Sequence, residues 1–363
     1  MNTYAEISLD AIKHNIAEIK KLLSGGAKFM AVTKANAYGH GAVAVSRAAI
    51  EAGVDYLAVA NLREALELRE AGVVHPILIL TESPTSVMDE IVQHQLTQTV
   101  YSFSEAKALS DEAVKRKKNA RIHIKVDTGM GRVGVAPSEA GALITKIGSL
   151  PSLIIEGIFT HFAKAEERED SFTKEQFEKF KGLLPRFQNI PLKHAANSAA
   201  TLFHPETHLD MVRVGLMLYG IYPHGNANRT INLVPALSFK SRVVYVKRVP
   251  EGTPVSYGGI YVTKKETSIA TLPVGYADGY SRRLSNRAKV LINNKRYPVV
   301  GRVTMDMILV DVGDGKVSVG DEAVLIGSQG IECITADEIA ALEDTISYEV
   351  ICNIGKRVPR IYR

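Results

Sequence analysis

The sequence predicts a (β/α)8 barrel followed by a mainly β domain, and three observations support this fold class. The chain has 363 residues, more than one hydrophobic core usually supports. Strand and helix patterns alternate through its first two-thirds. From about Leu233 the pattern changes to closely spaced strands with turn signals. We therefore expect a barrel domain over residues 1–232 and a β domain over residues 233–363, with the boundary in the polar stretch Pro223–Asn232.

The barrel prediction depends on eight short β-rich runs. The helical patterns between them, such as Leu62–Ala71, Ser104–Lys117 and Ser171–Phe187, have apolar residues three or four positions apart and polar caps. Eight such units fit the right-handed crossovers of a (β/α)8 barrel, and a doubly wound open sheet remains the alternative. The runs are Phe29–Thr33, Tyr56–Ala60, Ile77–Leu80, Thr97–Tyr101, Ile122–Val126, Ile154–Phe159, Leu192–Ala195 and Val212–Leu218.

Six further runs predict the strands of the second domain. Turn signals separate them, including Asn293-Asn294 and Asp314-Gly315. Such spacing is typical of an antiparallel β domain. The runs are Ala236–Val249, Thr267–Leu272, Lys289–Ile292, Tyr297–Val303, Met307–Val312 and Glu322–Ile326.

Composition narrows the function classes. With 46% hydrophobic and 23% charged residues, the chain is an ordinary globular protein. It has no leader-like N-terminus and no run of roughly 20 apolar residues, so we expect a cytoplasmic protein without membrane contact. The net charge of +5 is spread along the chain, and its one basic run, Lys115–Lys118, suits a helix C-terminus. We therefore expect no nucleic-acid partner, and no metal site is predicted.

Lys34 is the strongest candidate site residue. It stands where an apolar strand turns into a Gly-containing segment that we interpret as a helix start. Apolar surroundings would lower the pKa of its amine and favour Schiff-base chemistry. Tyr38 and the helix N-terminus would offer donors to an anion such as phosphate. A lysine whose stem packs at a strand end while its amine reaches water is the commoner alternative.

Other chemically active residues also follow predicted barrel strands. In a barrel, residues just past the C-terminal strand ends form the active face. Each residue has a structural explanation when taken alone, such as a core imidazole or a salt-bridge arginine. Their shared placement indicates a site. They are Lys125, Asp127, Arg132, Thr160, His161, His194, Asn197, Ser198, Arg213 and Gly215.

Motifs along the whole chain resemble those of alanine racemases. AVTKANAYGHG around Lys34 is similar to the family's pyridoxal-phosphate lysine motif. The motifs KVDTGMGR, THFA, NS, VRVGLMLYG, VSYGGIY, LPVGYADGY, VGRVTMD and RVPR follow in the family's order. The later ones are not shared with single-domain pyridoxal-phosphate proteins. The resemblance implies a barrel plus a β domain, assembled as a homodimer with shared active sites.

The resemblance also implies an activity, a cofactor and two catalytic bases. The family interconverts L- and D-alanine by a two-base mechanism on a pyridoxal 5'-phosphate external aldimine, which provides D-alanine for peptidoglycan synthesis. Removal of the α-hydrogen from one face and its return on the other needs two acid/base groups. By resemblance these are Lys34 and Tyr257. A phenol ordinarily titrates near 10, so we expect His161 and Arg213 to assist Tyr257 through hydrogen bonds.

Further roles are carried over from the family residue by residue. By resemblance, Arg213 lies against the pyridine nitrogen, and because arginine stays charged the ring would remain unprotonated. Lys125 is expected to be carbamylated, on resemblance and because Lys125 and Arg132 would repel each other on one strand-loop unit. The implied cofactor-binding residues are Lys34, Tyr38, Arg132, His161, Asn197, Ser198, Arg213, Gly215 and Leu216. The implied substrate-binding residues are Arg132, Tyr276, Met305 and Asp306, the last two at the substrate entrance.

Two departures and three alternatives qualify the resemblance. Thr304 stands where many members have cysteine, and Lys356 stands where many have a phosphate-contacting tyrosine. A racemase of broader specificity, acting on serine or other small amino acids, fits the same motifs. A fold-related amino-acid decarboxylase fits less well. Its proton donor would come from a cysteine in an acidic motif, and the neighbours of Cys333 and Cys352 do not form that motif. A non-catalytic pyridoxal-phosphate carrier would not need the β domain with Tyr257.

Overall fold

The computed structural model describes residues 2–81, 83–168, 170–223 and 230–363. They form two compact units, which we call the barrel unit and the β unit. The barrel unit comprises Ile12–Ala37 and Ala42–Val234. The β unit comprises the start of the chain up to Ala11, Tyr38–Gly41 and Pro235–Arg363. Most of the predicted boundary segment, residues 224–229, lies outside the described residues, and the division at 232/233 stays a prediction.

The strands of the barrel unit form one parallel sheet in the order β8-β7-β6-β5-β4-β3-β2-β9. Backbone hydrogen bonds from Asp210 N to Lys193 O and from Arg213 N to Ala196 O join its two edges. The predicted (β/α)8 barrel is therefore confirmed. The strands are β2 Lys28–Val32, β3 Tyr56–Val59, β4 Ile77–Ile79, β5 Thr97–Val100, β6 Ala120–Lys125, β7 Leu153–Phe159, β8 Leu192–His194 and β9 Met211–Val214.

Helices of the barrel unit begin at capping residues that the sequence provides. Asn61 Oδ1 accepts a hydrogen bond from Glu64 N, and Ser102 Oγ accepts one from Glu105 N. No helix among the described residues is long and apolar enough to span a membrane. The helices up to residue 203 are α1 Leu9–Lys20, α2 Ala42–Glu51, α3 Leu62–Glu70, α4 Met88–Gln93, α5 Phe103–Lys115, α6 Pro137–Gly148, α7 Phe172–Lys181 and α8 Ser198–Phe203.

The β unit contains a larger sheet of order β11-β14-β17-β16-β15-β18-β10-β1-β20, with β19 paired to β18, and a separate β12-β13 hairpin. The N-terminal strand β1 is antiparallel to β10 and parallel to β20. The strands are β1 Tyr4–Ile7, β10 Leu237–Arg242, β11 Tyr245–Val249, β12 Pro254–Val255, β13 Tyr261–Val262, β14 Thr267–Leu272, β15 Lys289–Ile292, β16 Lys295–Val300, β17 Ile308–Gly313, β18 Glu322–Gln329, β19 Glu332–Ile334 and β20 Arg360–Tyr362. Two helices, α9 Ala336–Glu343 and α10 Ser347–Cys352, complete the unit.

Alternating side chains explain how these strands build a core. On β17, Ile308, Val310 and Val312 are buried, while the residues between them are partly exposed. A strand with this period of two buries one face and leaves the other to solvent. Val249 and Ile269 belong to a small apolar cluster in the same unit.

Several predicted boundaries were wrong. The run Ala236–Val249 forms two strands, β10 and β11, rather than one. The run Val212–Leu218 ends as a strand at Val214 and continues as a 3-10 turn from Leu216. The predicted helix Ser171–Phe187 ends at Lys181, before a 3-10 turn over Leu184–Phe187.

Candidate active site

Several of the predicted site residues in the barrel unit lie at or near the C-terminal ends of its strands. Lys125 and His194 are the last residues of β6 and β8. His161 follows β7 by two residues, and Lys34 follows β2 by two. Arg213 lies inside β9. Because the strands are parallel, their C-terminal ends open on one face of the barrel. Within the described residues, no group of three or more His, Cys, Asp or Glu side chains could hold a metal ion.

The chain after Lys34 forms a left-handed turn, so the predicted helix start there was wrong. Ala35, Asn36, Ala37 and Tyr38 have φ of 53, 53, 53 and 52°, and α2 begins only at Ala42. Left-handed backbone costs roughly 1–2 kcal/mol per residue with a Cβ. Hydrogen bonds hold the turn: Ala35 N donates to Glu64 Oε1 at 2.8 Å, and Ala42 N donates to Asn36 Oδ1 at 2.8 Å. Strain of this kind concentrates at functional sites.

Lys125 lies in a cationic environment at the end of β6. Its side chain is only 5% exposed, and its Nζ lies 5.5 Å from the ring centroid of Phe159. Burial, followed by the positive charges of Arg132 and Arg213, lowers the pKa of Lys125 to about 8. A substantial fraction of this amine is therefore neutral near physiological pH.

The loop that carries Arg132 is organised by Asp127. Asp127 Oδ1 accepts hydrogen bonds from Gly129 N at 3.0 Å and Gly131 N at 3.1 Å. The backbone of Asp127 is also bonded to Val135. Arg132 itself is exposed, so its guanidinium is open to solvent on a loop that these backbone hydrogen bonds support.

Arg213 is buried with its guanidinium surrounded by acceptors. Nη2 donates to Thr160 O at 2.7 Å and Ala195 O at 2.9 Å, and it lies 3.2 Å from His161 Nδ1. Nη1 lies 2.9 Å from His194 Nδ1. Burial lowers the pKa of Arg213 to about 9, which leaves it protonated at neutral pH. Burial, and then the charge of Arg213, hold the pKa of His161 well below its usual range, so this imidazole is neutral.

Asn197, Ser198, Gly215 and Leu216 lie together where β8 and β9 end. Asn197 Oδ1 caps α8 by accepting from Ala200 N at 2.9 Å. Ser198 Oγ accepts from Gly215 N at 3.0 Å, and Leu216 begins the next 3-10 turn. The arrangement supplies a hydroxyl and backbone N–H groups without side-chain charge, which suits an anion.

In the β unit, Tyr257 projects from a strained turn. Ser256 has φ 64° and ψ −175°, a region that is essentially restricted to glycine. Its Oγ donates to Arg302 O at 2.8 Å, and Arg302 Nε donates to Tyr257 O at 3.1 Å. The Tyr257 side chain is 73% exposed, so its hydroxyl is presented outward by a fixed backbone.

Tyr276, Met305 and Asp306 form a second group on the β unit. Tyr276 N donates to Thr304 O at 3.0 Å. A Cβ on Gly275 would lie 2.3 Å from Met305 O, so only glycine permits this approach. Asp306 Oδ1 accepts from Arg357 Nη2 at 2.7 Å. Tyr276 and Met305 are 43% and 52% exposed.

Tyr38 packs with α10 in the β unit. Its ring centroid lies 5.9 Å from that of Tyr348, and burial raises the pKa of Tyr38 above its usual range. A Cβ on Gly39 would lie 2.3 Å from Ile351 O, and its φ of +84° also favours glycine. Tyr348 is not part of any motif that we singled out in the sequence, and Lys356, the position that departs from the family's tyrosine, is exposed.

The predicted site residues thus form two groups, one in each unit. Lys34, Lys125, Arg132, His161, Asn197, Ser198, Arg213, Gly215 and Leu216 belong to the barrel unit, and Tyr38, Tyr257, Tyr276, Met305 and Asp306 to the β unit.

Comparison with known protein families assigns both units. Residues 7–223 match the family description "Alanine racemase, N-terminal domain", and residues 236–362 match "Alanine racemase, C-terminal domain". The chain belongs to the alanine racemase family. Alanine racemase 2 of Caldanaerobacter subterraneus is 47% identical over 99% of this chain and 94% of its own.

Solved structures of family members have the same fold. Alanine racemase from Clostridium difficile 630 superposes with a TM-score of 0.95 at 39% identity, covering 100% of this chain and 96% of that one. Alanine racemase from Bacillus anthracis with bound L-Ala-P gives a TM-score of 0.91 at 40% identity, covering 100% and 95%.

Proposed function

We propose that this chain interconverts L- and D-alanine with pyridoxal 5'-phosphate as its cofactor, in homodimers, and supplies D-alanine for peptidoglycan synthesis. The observation that carries the proposal is the cationic group on the barrel face. Burial of Lys125 lowers its pKa, and the positive charges of Arg132, Arg213 and Lys34, in that order, lower it further.

The residues present fit an anionic cofactor. Among the described residues, three cations lower the pKa of Lys125, and the carboxylate of Asp127 opposes them. Ser198 Oγ accepts from Gly215 N and still has its own hydroxyl hydrogen to donate at the same face. A ligand that carries phosphate and ring-hydroxyl oxygens would relieve the repulsion among these cations. Lys34 would hold the cofactor covalently, while Ser198, Gly215, Leu216 and Tyr38 would hold its phosphate.

When bound, pyridoxal phosphate withdraws electrons from the α-carbon of an amino acid, which weakens the bond to the α-hydrogen. Every other part of the reaction falls to the protein. Once the substrate amine has displaced it from the cofactor, Lys34 would take or return a proton through Nζ on one side of the substrate, and Tyr257 would do so through its hydroxyl on the other. Neutral His161 accepts from Arg213, which keeps a fixed charge near the reacting centre.

Arg132 would bind the substrate carboxylate, since its guanidinium fork matches two carboxylate oxygens. Tyr276, Met305 and Asp306 would line the entrance and limit substrate size. A racemase for serine or other small amino acids would use the same groups, so substrate breadth is part of the test.

The experiment is incubation of the holoenzyme with L-alanine and chiral analysis of the product. D-Alanine should accumulate to a racemic mixture, and the reverse reaction should start from D-alanine. A panel of small amino acids then measures breadth. Release of carbon dioxide without D-alanine would replace the proposal with a decarboxylase, and cofactor binding without turnover would replace it with a carrier.

A further inference from the structure

A line of buried polar side chains extends from Arg213 through the core of the barrel unit. Arg213 Nη1 lies 2.9 Å from His194 Nδ1, and His194 Nε2 lies 2.9 Å from His123 Nδ1. His123 Nε2 lies 3.4 Å from a carboxylate oxygen, Oε2 of Glu156. Both histidines are fully buried. Glu156 therefore ends a line that begins at the candidate active site.

Arg213 determines which ring nitrogen carries the proton in His194 and, through it, in His123. A guanidinium only donates, so His194 Nδ1 must accept and carry no proton. Burial lowers the pKa of both histidines, and each ring is therefore neutral. His194 then carries its proton on Nε2 and donates to His123 Nδ1. His123 must in turn carry its proton on Nε2, which lies 3.4 Å from Glu156 Oε2, an electrostatic contact without the alignment of a hydrogen bond.

A carboxylate is the right group at the end of this line, because it only accepts. Glu156 Oε1 accepts from Arg121 Nη1 at 2.8 Å, and Tyr56 Oη donates to Oε2. Burial would raise the pKa of Glu156, but its contacts with His123 and Tyr56, together with nearby positive charge, lower it overall. Glu156 also lines a cavity with Tyr56 and Arg121.

The backbone is built to bring Glu156 to this place. The register between β6 and β7 shifts there: Ile122 pairs with Ile155, whereas His123 pairs with Gly157. Glu156 is the extra residue of this bulge, a device that re-aims a side chain. A Cβ on residue 157 would lie 2.6 Å from His123 Nδ1, so glycine leaves room for the imidazole.

The opposite pair of tautomers would disturb Arg213. If His123 carried its proton on Nδ1, it would face the N–H of His194, and His194 would have to move its proton to Nδ1. That proton would point at the donor Nη1 of Arg213. In that arrangement His123 Nε2 would carry no proton and would face the Glu156 carboxylate, which also only accepts. The carboxylate therefore disfavours the opposite pair of tautomers.

We propose that Glu156, acting through His123 and His194, is a positioning residue that keeps the Arg213 guanidinium in its orientation. The catalytic part of this inference rests on the proposed function. The assignment of the His123 and His194 tautomers does not depend on the proposed function.

The test compares holoenzyme with Glu156→Gln, which preserves the shape of the side chain. Arg121 donates to Oε1, so it will hold the amide oxygen and turn the NH2 group toward His123. A donor then faces His123 Nε2. Tyr56→Phe keeps the carboxylate and serves as the matched control, and Glu139→Gln removes an exposed charge from α6.

Nitrogen NMR of ¹⁵N-histidine-labelled holoenzyme gives the direct readout, with signals assigned from His123→Gln and His194→Gln. We expect protonated Nε2 on both rings in the wild type and in Tyr56→Phe, and a shift toward protonated Nδ1 in Glu156→Gln. We also expect kcat to fall on the order of 10-fold in Glu156→Gln, as when a partner that orients a histidine is lost. KM should stay within about twofold, because Arg213 does not bind the substrate.

Unchanged histidine signals in Glu156→Gln would overturn the proposal, and so would a kcat equal to that of Glu139→Gln. A loss in Tyr56→Phe as large as in Glu156→Gln would also overturn it, since the carboxylate is retained there. Absence of racemase activity in the wild type would instead refute the proposed function and leave the NMR result valid.

Discussion

Ser256 donates a hydrogen bond from Oγ to the carbonyl oxygen of Arg302 at 2.8 Å, one residue before Tyr257. This bond holds Ser256 in a backbone region that other residues with a Cβ avoid. Tyr257, the proposed second base, therefore depends on a strained turn that a hydrogen bond to the Arg302 segment stabilises.

Replacement of Ser256 tests that dependence. Ser256→Ala loses the bond and keeps the strain, so its free energy of unfolding should fall by about 1 kcal/mol. Ser256→Gly loses the bond but relieves the strain, and its stability should stay close to that of the wild type. Denaturant unfolding measures both. A Ser256→Ala variant as stable as the wild type would contradict this account.

Lys34 is expected to carry the cofactor covalently. Borohydride reduction of the holoenzyme followed by peptide mapping should place the pyridoxyl group on Lys34, and Lys34→Ala should retain none. Lys125 is the natural competitor, because its lowered pKa also makes it a nucleophilic amine. A label on Lys125 in the wild type would refute the assignment.

The lowered pKa of Lys125 predicts a pH dependence of stability. Its pKa is about 8 in the folded protein against 10.5 ordinarily. Between these values the unfolded chain is protonated at this lysine and the native protein is not, so stability should rise with pH across that window. Unfolding of the cofactor-free protein in carbon-dioxide-free buffer measures the rise. Lys125→Met should lack this increment, and an identical profile in that variant would contradict the assignment.

A neutral Lys125 amine can also add carbon dioxide, and we predict its carbamylation. The product is an anion that can pair with Arg132 and orient its guanidinium toward the cofactor and substrate. ¹³C-bicarbonate should give a carbamate signal in the wild type that is absent from Lys125→Met. Crystals grown with bicarbonate that show a bare lysine at this position would count against it.

Much of this site was predictable from sequence, because eight parallel strands bring their C-terminal ends to one face. The places of His161, Arg213 and Lys125 near strand ends were predicted from the strand pattern, whereas their roles come from the family resemblance. The left-handed turn after Lys34 was not predictable, since Ala35 and Ala37 ordinarily favour right-handed helix. A contact from Glu64, which is 29 residues from its partner Ala35, and a local contact from Ala42 hold it.

Glu156 was missed for a related reason. In a strand pattern a glutamate next to glycine indicates a solvent-facing position, and only the register shift beside His123 places it under a buried imidazole. Tyr348 escaped as well, because its relation to Tyr38 is a contact between segments about three hundred residues apart.

The last prediction concerns assembly: each active site should combine Lys34 of one chain with Tyr257 and Met305 of its partner. A barrel presents an open active face, and the second base comes from a separate unit of the chain. Loss of either base should lower the rate by on the order of 10²–10⁴. Homodimers of Lys34→Ala and of Tyr257→Phe should therefore be nearly inactive.

Mixed dimers of these two variants distinguish shared sites from sites within one chain. Co-expression with two affinity tags isolates them. If sites are shared, one site of each mixed dimer pairs the intact Lys34 of one chain with the intact Tyr257 of the other, while the second site lacks both. Activity should then recover to about half of the wild-type value, because one of two equivalent sites is complete. If both bases act within one chain, every site lacks one of them and no activity returns, which would rule out the shared site.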